Sequence, residues 1–72
     1  MKKVCEGIAQ DIYEYQSDKI WVYKDGSQGR TPYMTSILND DGEFDTEFFP
    51  TMAAAQAHID KVGLDARRQR QN

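Results

Sequence analysis

Few side chains in this sequence have types and spacings that could do chemistry. His58 is the only histidine and Cys5 the only cysteine. General acid and base catalysis needs an imidazole within hydrogen-bond reach of an orienting polar group. On a helix over residues 52–62, His58 falls off the apolar stripe, so the spacing predicts a solvent-facing ring with no orienter. Cys5 has no Cys-X-X-Cys partner and reads as a small buried or half-buried apolar residue rather than a nucleophile. A lone cysteine also excludes an intramolecular disulfide and a cysteine-based zinc cluster, which fits a reducing cytoplasm. Asn39, Asp41, Glu43, Asp45 and Glu47 crowd oxygen donors together and raise calcium chemistry. Their spacing does not support it, because placing Gly42 at the EF-hand loop glycine puts Ile37 at the first ligand position and Phe48 at the terminal Glu. Gly26 and Gly29 lack the Lys-Ser/Thr and the helix of a phosphate loop. No catalytic residue, cofactor or metal is expected, and the chain reads as a non-enzyme.

Charge is distributed unevenly over the 72 residues, whose net charge is −3. No Lys or Arg lies between Arg30 and Lys61, whereas Asp40, Asp41, Glu43, Asp45, Glu47 and Asp60 do. The tail that follows carries Arg67, Arg68 and Arg70. An acidic body repels polyanions and attracts basic protein surfaces, while a basic tail does the reverse. The start Met1-Lys2-Lys3 imitates a signal-peptide n-region, but Glu6 and Asp11 interrupt the apolar run that must follow, and no span of 18 apolar residues exists. A small cytoplasmic protein is expected, with one domain over residues 1–64 and a basic, disordered tail over 65–72.

The elements that must position these residues follow from periodicity. Residues 43–48 alternate strictly, as a strand with one wet face does. Residues 33–38 and 19–24 are rich in aromatic and β-branched side chains, and Asn39-Asp40-Asp41-Gly42 reads as a hairpin turn. A four-residue loop there pairs Ile37 with Phe44 and Tyr33 with Phe48 on the inner face, leaving Met34 and Leu38 beside Glu43 and Glu47 on the outer one. Thr51 can cap a helix whose Met52, Ala55, Ile59 and Val62 form one stripe, and Gly63 is expected to stop it in the left-handed conformation. Residues 4–15 are ambiguous. Val4, Ile8, Ile12 and Tyr15 recur at helical spacing, but Gly7 weakens a helix and residues 11–15 alternate. The expected fold is α+β, an antiparallel three- or four-stranded meander with one C-terminal helix packed on a face. The alternative has an N-terminal helix, three strands and a C-terminal helix.

The stretch from Phe49-Pro50-Thr51 through Ala55 to Asp60, placed after three strands, resembles the end of the sheet-plus-helix module in phage integrase arm-type and plant ethylene-response DNA-binding domains. Phe49, Thr51 and Ala55 carry the resemblance. It implies a sheet that reads DNA with basic and aromatic side chains, which transfers here to Lys19, Trp21, Lys24 and Arg30.

Because both faces of the strand around Trp21 are apolar, one helix cannot cover both, and some aromatic surface should stay exposed. The leading expectation is therefore a small accessory protein, such as an inhibitor of mobile-element type, that binds a protein partner through an acidic hairpin and exposed aromatics. Its contact set is Trp21, Tyr23, Met34, Glu43, Asp45 and Glu47, and a homodimer would satisfy the same surface. The alternative is a DNA-binding module using Lys19, Trp21, Lys24, Arg30, Arg67, Arg68 and Arg70.

Overall fold

In a computed structural model, which describes residues 1–70, five antiparallel strands run in sequence order and two helices follow. The strands are β1 (Lys2–Glu6), β2 (Gln10–Tyr15), β3 (Asp18–Tyr23), β4 (Tyr33–Leu38) and β5 (Phe44–Phe49). The helices are α1 (Met52–Val62) and α2 (Leu64–Arg70). The α+β meander with a C-terminal helix is as expected, with five strands where three or four were anticipated. No helix of the described residues is long and apolar enough to cross a membrane.

The extra strand is β1, and the alternative N-terminal helix does not form. The helical spacing of Val4, Ile8, Ile12 and Tyr15 is accidental. Val4 falls at a β-bulge between Lys3 and Cys5, Ile8 stands fully exposed in the following turn, and Ile12 and Tyr15 point to opposite faces of β2. Gly7 suits that turn, since a Cβ there would meet the Gln10 carbonyl at 2.7 Å.

The β4–β5 register differs from expectation by one residue. Leu38 pairs with Phe44, Met34 with Phe48 and Tyr33 with Phe49, so Ile37 faces Asp45 instead of Phe44. The cause is the turn. Asn39 N–H donates to the Glu43 carbonyl at 2.7 Å, while the Asn39 Oδ1 accepts the N–H groups of Asp41 and Glu43. Asp40, Asp41 and Gly42 are left as a three-residue loop, with Gly42 at φ 84°, the left-handed position such hairpins require. A shift of one residue sends every β5 side chain to the other face. Phe44 and Phe48, expected inside, leave the core, and Asp45 and Glu47 turn toward the helix side.

α1 covers the face that carries Ile20 and Ile37. With Ala55 and Ile59 these form the buried core, and Tyr13, Tyr15, Val22, Tyr33, Phe49, Met52 and Val62 pack around it. The stripe follows the expected spacing, and Thr51 Oγ1 accepts the Ala54 N–H at 3.1 Å as the N-cap. Full burial of Ile20 and of Ile59 contributes about 1.5–3 kcal/mol each.

The helix end is built differently from the expected left-handed stop. Gly63 has φ −70° and ψ 177°, and its N–H donates to the Ile59 carbonyl at 2.8 Å. A glycine is needed for space, since a Cβ would lie 2.6 Å from the Ile59 carbonyl oxygen and 2.7 Å from Asp18 Oδ2. That buried carboxylate, reaching out from β3, accepts the Leu64 N–H at 2.9 Å and caps α2. Residues 65–70, read from sequence as part of a disordered tail, are thereby helical; Gln71 and Asn72 lie outside the described residues.

A second tie joins the β2–β3 turn to the helices. Gln16 and Ser17 hold φ 48° and 69° in a two-residue hairpin. Tyr15 Oη and Gln16 Nε2 each donate to Asp60 Oδ1 at 2.7 Å, and Ser17 Oγ donates to Asp65 Oδ1 at 3.1 Å. The bond to Asp60, helped by burial, raises the Tyr15 pKa above that of a free phenol.

Two substitutions test this packing in urea denaturation. Gly63→Ala should destabilise the fold by about 1–3 kcal/mol, because the neighbours of the new methyl are backbone and a buried carboxylate. Thr35 is fully buried and its hydroxyl has no hydrogen-bond partner. Thr35→Val should therefore stabilise by about 1 kcal/mol, and a loss of stability instead would contradict the buried, unpartnered hydroxyl.

Candidate functional site

The sheet face opposite α1 is organised in cross-strand rows. One runs Cys5, Ile12, Trp21, Met34, Phe48, with each residue paired to the next across all five strands. This apolar row is unbroken from edge to edge. Beside it lies a polar row, Lys2, Glu14, Lys19, Ser36 and Thr46, and beyond that the pair Leu38 and Phe44. On the other flank Tyr23 donates its hydroxyl to the Met34 sulfur at 3.7 Å and sets its ring 6.4 Å from that of Phe48. Among the described residues, no helix lies over these side chains. Phe44 is 66 % exposed, Phe48 41 % and Leu38 38 %, values far above those of core residues. Trp21, Tyr23 and Met34 are half-buried by packing against one another.

The expected contact set is split by this arrangement. Trp21, Tyr23 and Met34 share the uncovered face. Asp45 and Glu47 are on the α1 side of β5, and Glu43 closes the turn, so the carboxylates and the aromatics do not form one mixed patch as the four-residue loop required. Cys5, expected buried or half-buried, is exposed at the edge of the apolar row. The exposed Phe44 and Phe48 were missed for the same reason as the register. The Asp-Asp-Gly sequence, with glycine third in the loop, was the signal that could have shown it.

Asp45 and Glu47 instead help to line a half-open cleft of about 390 Å³ between the β4–β5 hairpin and the helices, together with Asp40, His58, Val62 and Arg67. His58 is half-buried rather than solvent-facing. Its ring packs on Phe49 with centroids 5.2 Å apart. Arg67 Nη1 donates to Asp40 at 3.2 Å and Asn39 Nδ2 donates to Asp45 at 3.2 Å. Among the described residues, no three His, Cys, Asp or Glu side chains converge on a point where a metal ion could sit.

The basic residues of the DNA-binding alternative are dispersed. Lys19 pairs with Glu14 at 3.1 Å on the uncovered face, Lys24 with Asp11 at 3.1 Å, and Arg67 with Asp40. Arg68 lies 4.0 Å from Asp65, Arg30 is exposed in the β3–β4 loop, and the Arg70 side chain lies outside the described residues.

Asp11 is a buried carboxylate held by two cations. Burial works against its charge, but the ammonium of Lys24 at 3.1 Å, Lys3 at 3.7 Å and a backbone N–H from Gly7 outweigh it and hold the pKa below the usual carboxylate value. The Lys24 contact is an ion pair whose angles fall short of a directed hydrogen bond. The folded chain keeps this group charged where the unfolded chain has begun to bind a proton. Its stabilisation is thus complete above about pH 5 and is lost as pH falls through the lowered folded value. Asp11→Asn should flatten the acid limb of a stability-against-pH curve; an unchanged limb would show that the ion pair contributes nothing. In comparisons with protein-family models, curated proteins and solved structures, the chain gives no match.

Proposed function

We propose that this chain is a small, non-catalytic binding protein that docks a protein partner on the uncovered face of its sheet. The observation that carries the reading is the apolar row Cys5, Ile12, Trp21, Met34, Phe48, which crosses all five strands with no element over it. Contiguous apolar surface with polar flanks marks interaction sites on small soluble domains, and aromatic side chains with Met are the residues such sites favour. The polar row supplies Lys19, Glu14 and Ser36 as a hydrogen-bonding rim. Packing of the His58 ring against Phe49 supports the non-catalytic part of the reading, since it gives the imidazole a structural role.

Aromatic anchors take over the work first assigned to acidic ones. A partner seated on the row reaches Asp45 and Glu47 only by wrapping round the free edge of β5. For nucleic acid, the face offers Lys2 and Lys19 against Glu14, which is too little positive charge to lead phosphate binding.

Neighbouring residues on β5 give a controlled test, because they point to opposite faces. A photo-cross-linking residue at position 48 should give protein adducts in the cells that make the chain, one at position 47 should not, and Met34→Glu should abolish the adducts. Equal yields from both positions, or none from position 48, would sink the proposal.

A further inference from the structure

We infer that the partner on this face is a second copy of the chain, forming a two-fold dimer of sheet on sheet. The inference rests on the binding role proposed for the face and names its occupant.

Charge is the first argument. Among the described strand residues, the charged side chains of this face are Lys2, Lys19 and Glu14, although the chain as a whole is at −3. The excess negative charge therefore lies on the α1 side and in the turns. Two identical acidic molecules repel over most of their surfaces, and this face is where that repulsion is weakest. A basic foreign partner would be drawn to the opposite side, around Asp40, Asp45 and Glu47.

Symmetry is the second. A two-fold interface is self-complementary, and a residue at its centre meets its own copy. Trp21 is the middle member of the apolar row and stands on the middle strand of five. Whether the axis runs along the strands or along the row, Trp21 of one copy lies over Trp21 of the other. An axis along the row makes each member of the row meet its own copy and sets Lys19 of one chain over Tyr23 of the other, whereas an axis along the strands would bring the two Lys19 side chains face to face.

Area is the third. Five strands at about 4.8 Å spacing and about 20 Å of strand length give a face of roughly 450 Å², and two such faces with side-chain relief bury about 1,000 Å². That is short of the about 1,200 Å² at which stable interfaces begin and within the range of weak, reversible ones, so dissociation constants in the micromolar range are expected rather than an obligate dimer. Two sheets also pack well face to face when their strands lie within about 30° of one another.

The only tryptophan of the chain is therefore its own reporter. Sedimentation equilibrium of the purified full chain, from about 1 to about 500 μM, should show the mass doubling, with Trp21 emission moving to the blue over the same range. Met34→Glu and, separately, Phe44→Glu should weaken association at least about tenfold by placing an unpaired carboxylate in the interface. Glu47→Lys, on the other face, should leave it intact. Circular dichroism confirms that each variant is folded, and Phe44 is exposed enough that its replacement does not disturb the core.

A chain that stays monomeric at all concentrations overturns the dimer. If position 48 still cross-links a different protein, the binding role survives with another occupant. Association that Met34→Glu and Phe44→Glu leave unchanged also overturns it, and assigns the contact to an edge strand or the helices.

Discussion

Side chains of a β-strand alternate between two faces, and this protein has one helical layer with which to cover them. That constraint governs the molecule. An eleven-residue helix is about 16 Å long and about 10 Å across, which is smaller than a five-stranded sheet. α1 therefore shields the centre of one face, over Ile20 and Ile37, and leaves the flanks of that face to charged side chains. On the β1 flank these are Lys3, Asp11 and Lys24. On the β5 flank they are Asp45 and Glu47. Among the described residues nothing covers the opposite face, and its apolar row is what the proposed partner would bury.

Much of the acidic character of the sequence is structural. Asp18 caps α2 from the central strand, Asp60 and Asp65 hold the β2–β3 turn, Asp11 pairs with two lysines, and Asp40 meets Arg67. The ties of Asp18, Asp60, Asp65 and Asp40 join the sheet and its turns to the helices, whereas Asp11 acts within the sheet. The junction at Gly63 is the tightest of them. Its missing side chain lets a buried carboxylate, a helix end and a helix start occupy one place, which a small core of four buried apolar residues could not organise alone.

Strand positions and the α1 stripe were legible because alternation and the three-and-four spacing are local properties. The bounds of β4 and α1 follow from them directly. Parity of β5 was not legible from alternation, since either phase of Phe44 to Phe49 presents aromatic residues. Phe48 and Phe49 adjoin, so one faces the core whichever way the strand is turned, and the turn alone decides which. Reading Asn39 as a loop residue rather than as the closing pair with Glu43 displaced the register by one. The candidate site was half legible for the same reason: Trp21, Tyr23 and Met34 were placed together, while the acidic members belonged to the other side. β1 was hidden by its bulge at Val4, which breaks the alternation that identifies a strand.

By itself the sequence determined an antiparallel meander with a C-terminal helix, the composition of that helix's buried stripe, and the surplus of apolar strand surface over what one helix can hide. These depend on nearest neighbours and on counting. Only the tertiary structure decided which surface is surplus, because that turns on whether Ile20 or Trp21 lies under the helix and on the phase of the last hairpin. The first is set between residues distant along the chain, by the bond from Leu64 to Asp18 and by the shared core of Ile20 and Ile59, and the second by the Asn39–Glu43 pair that closes the turn.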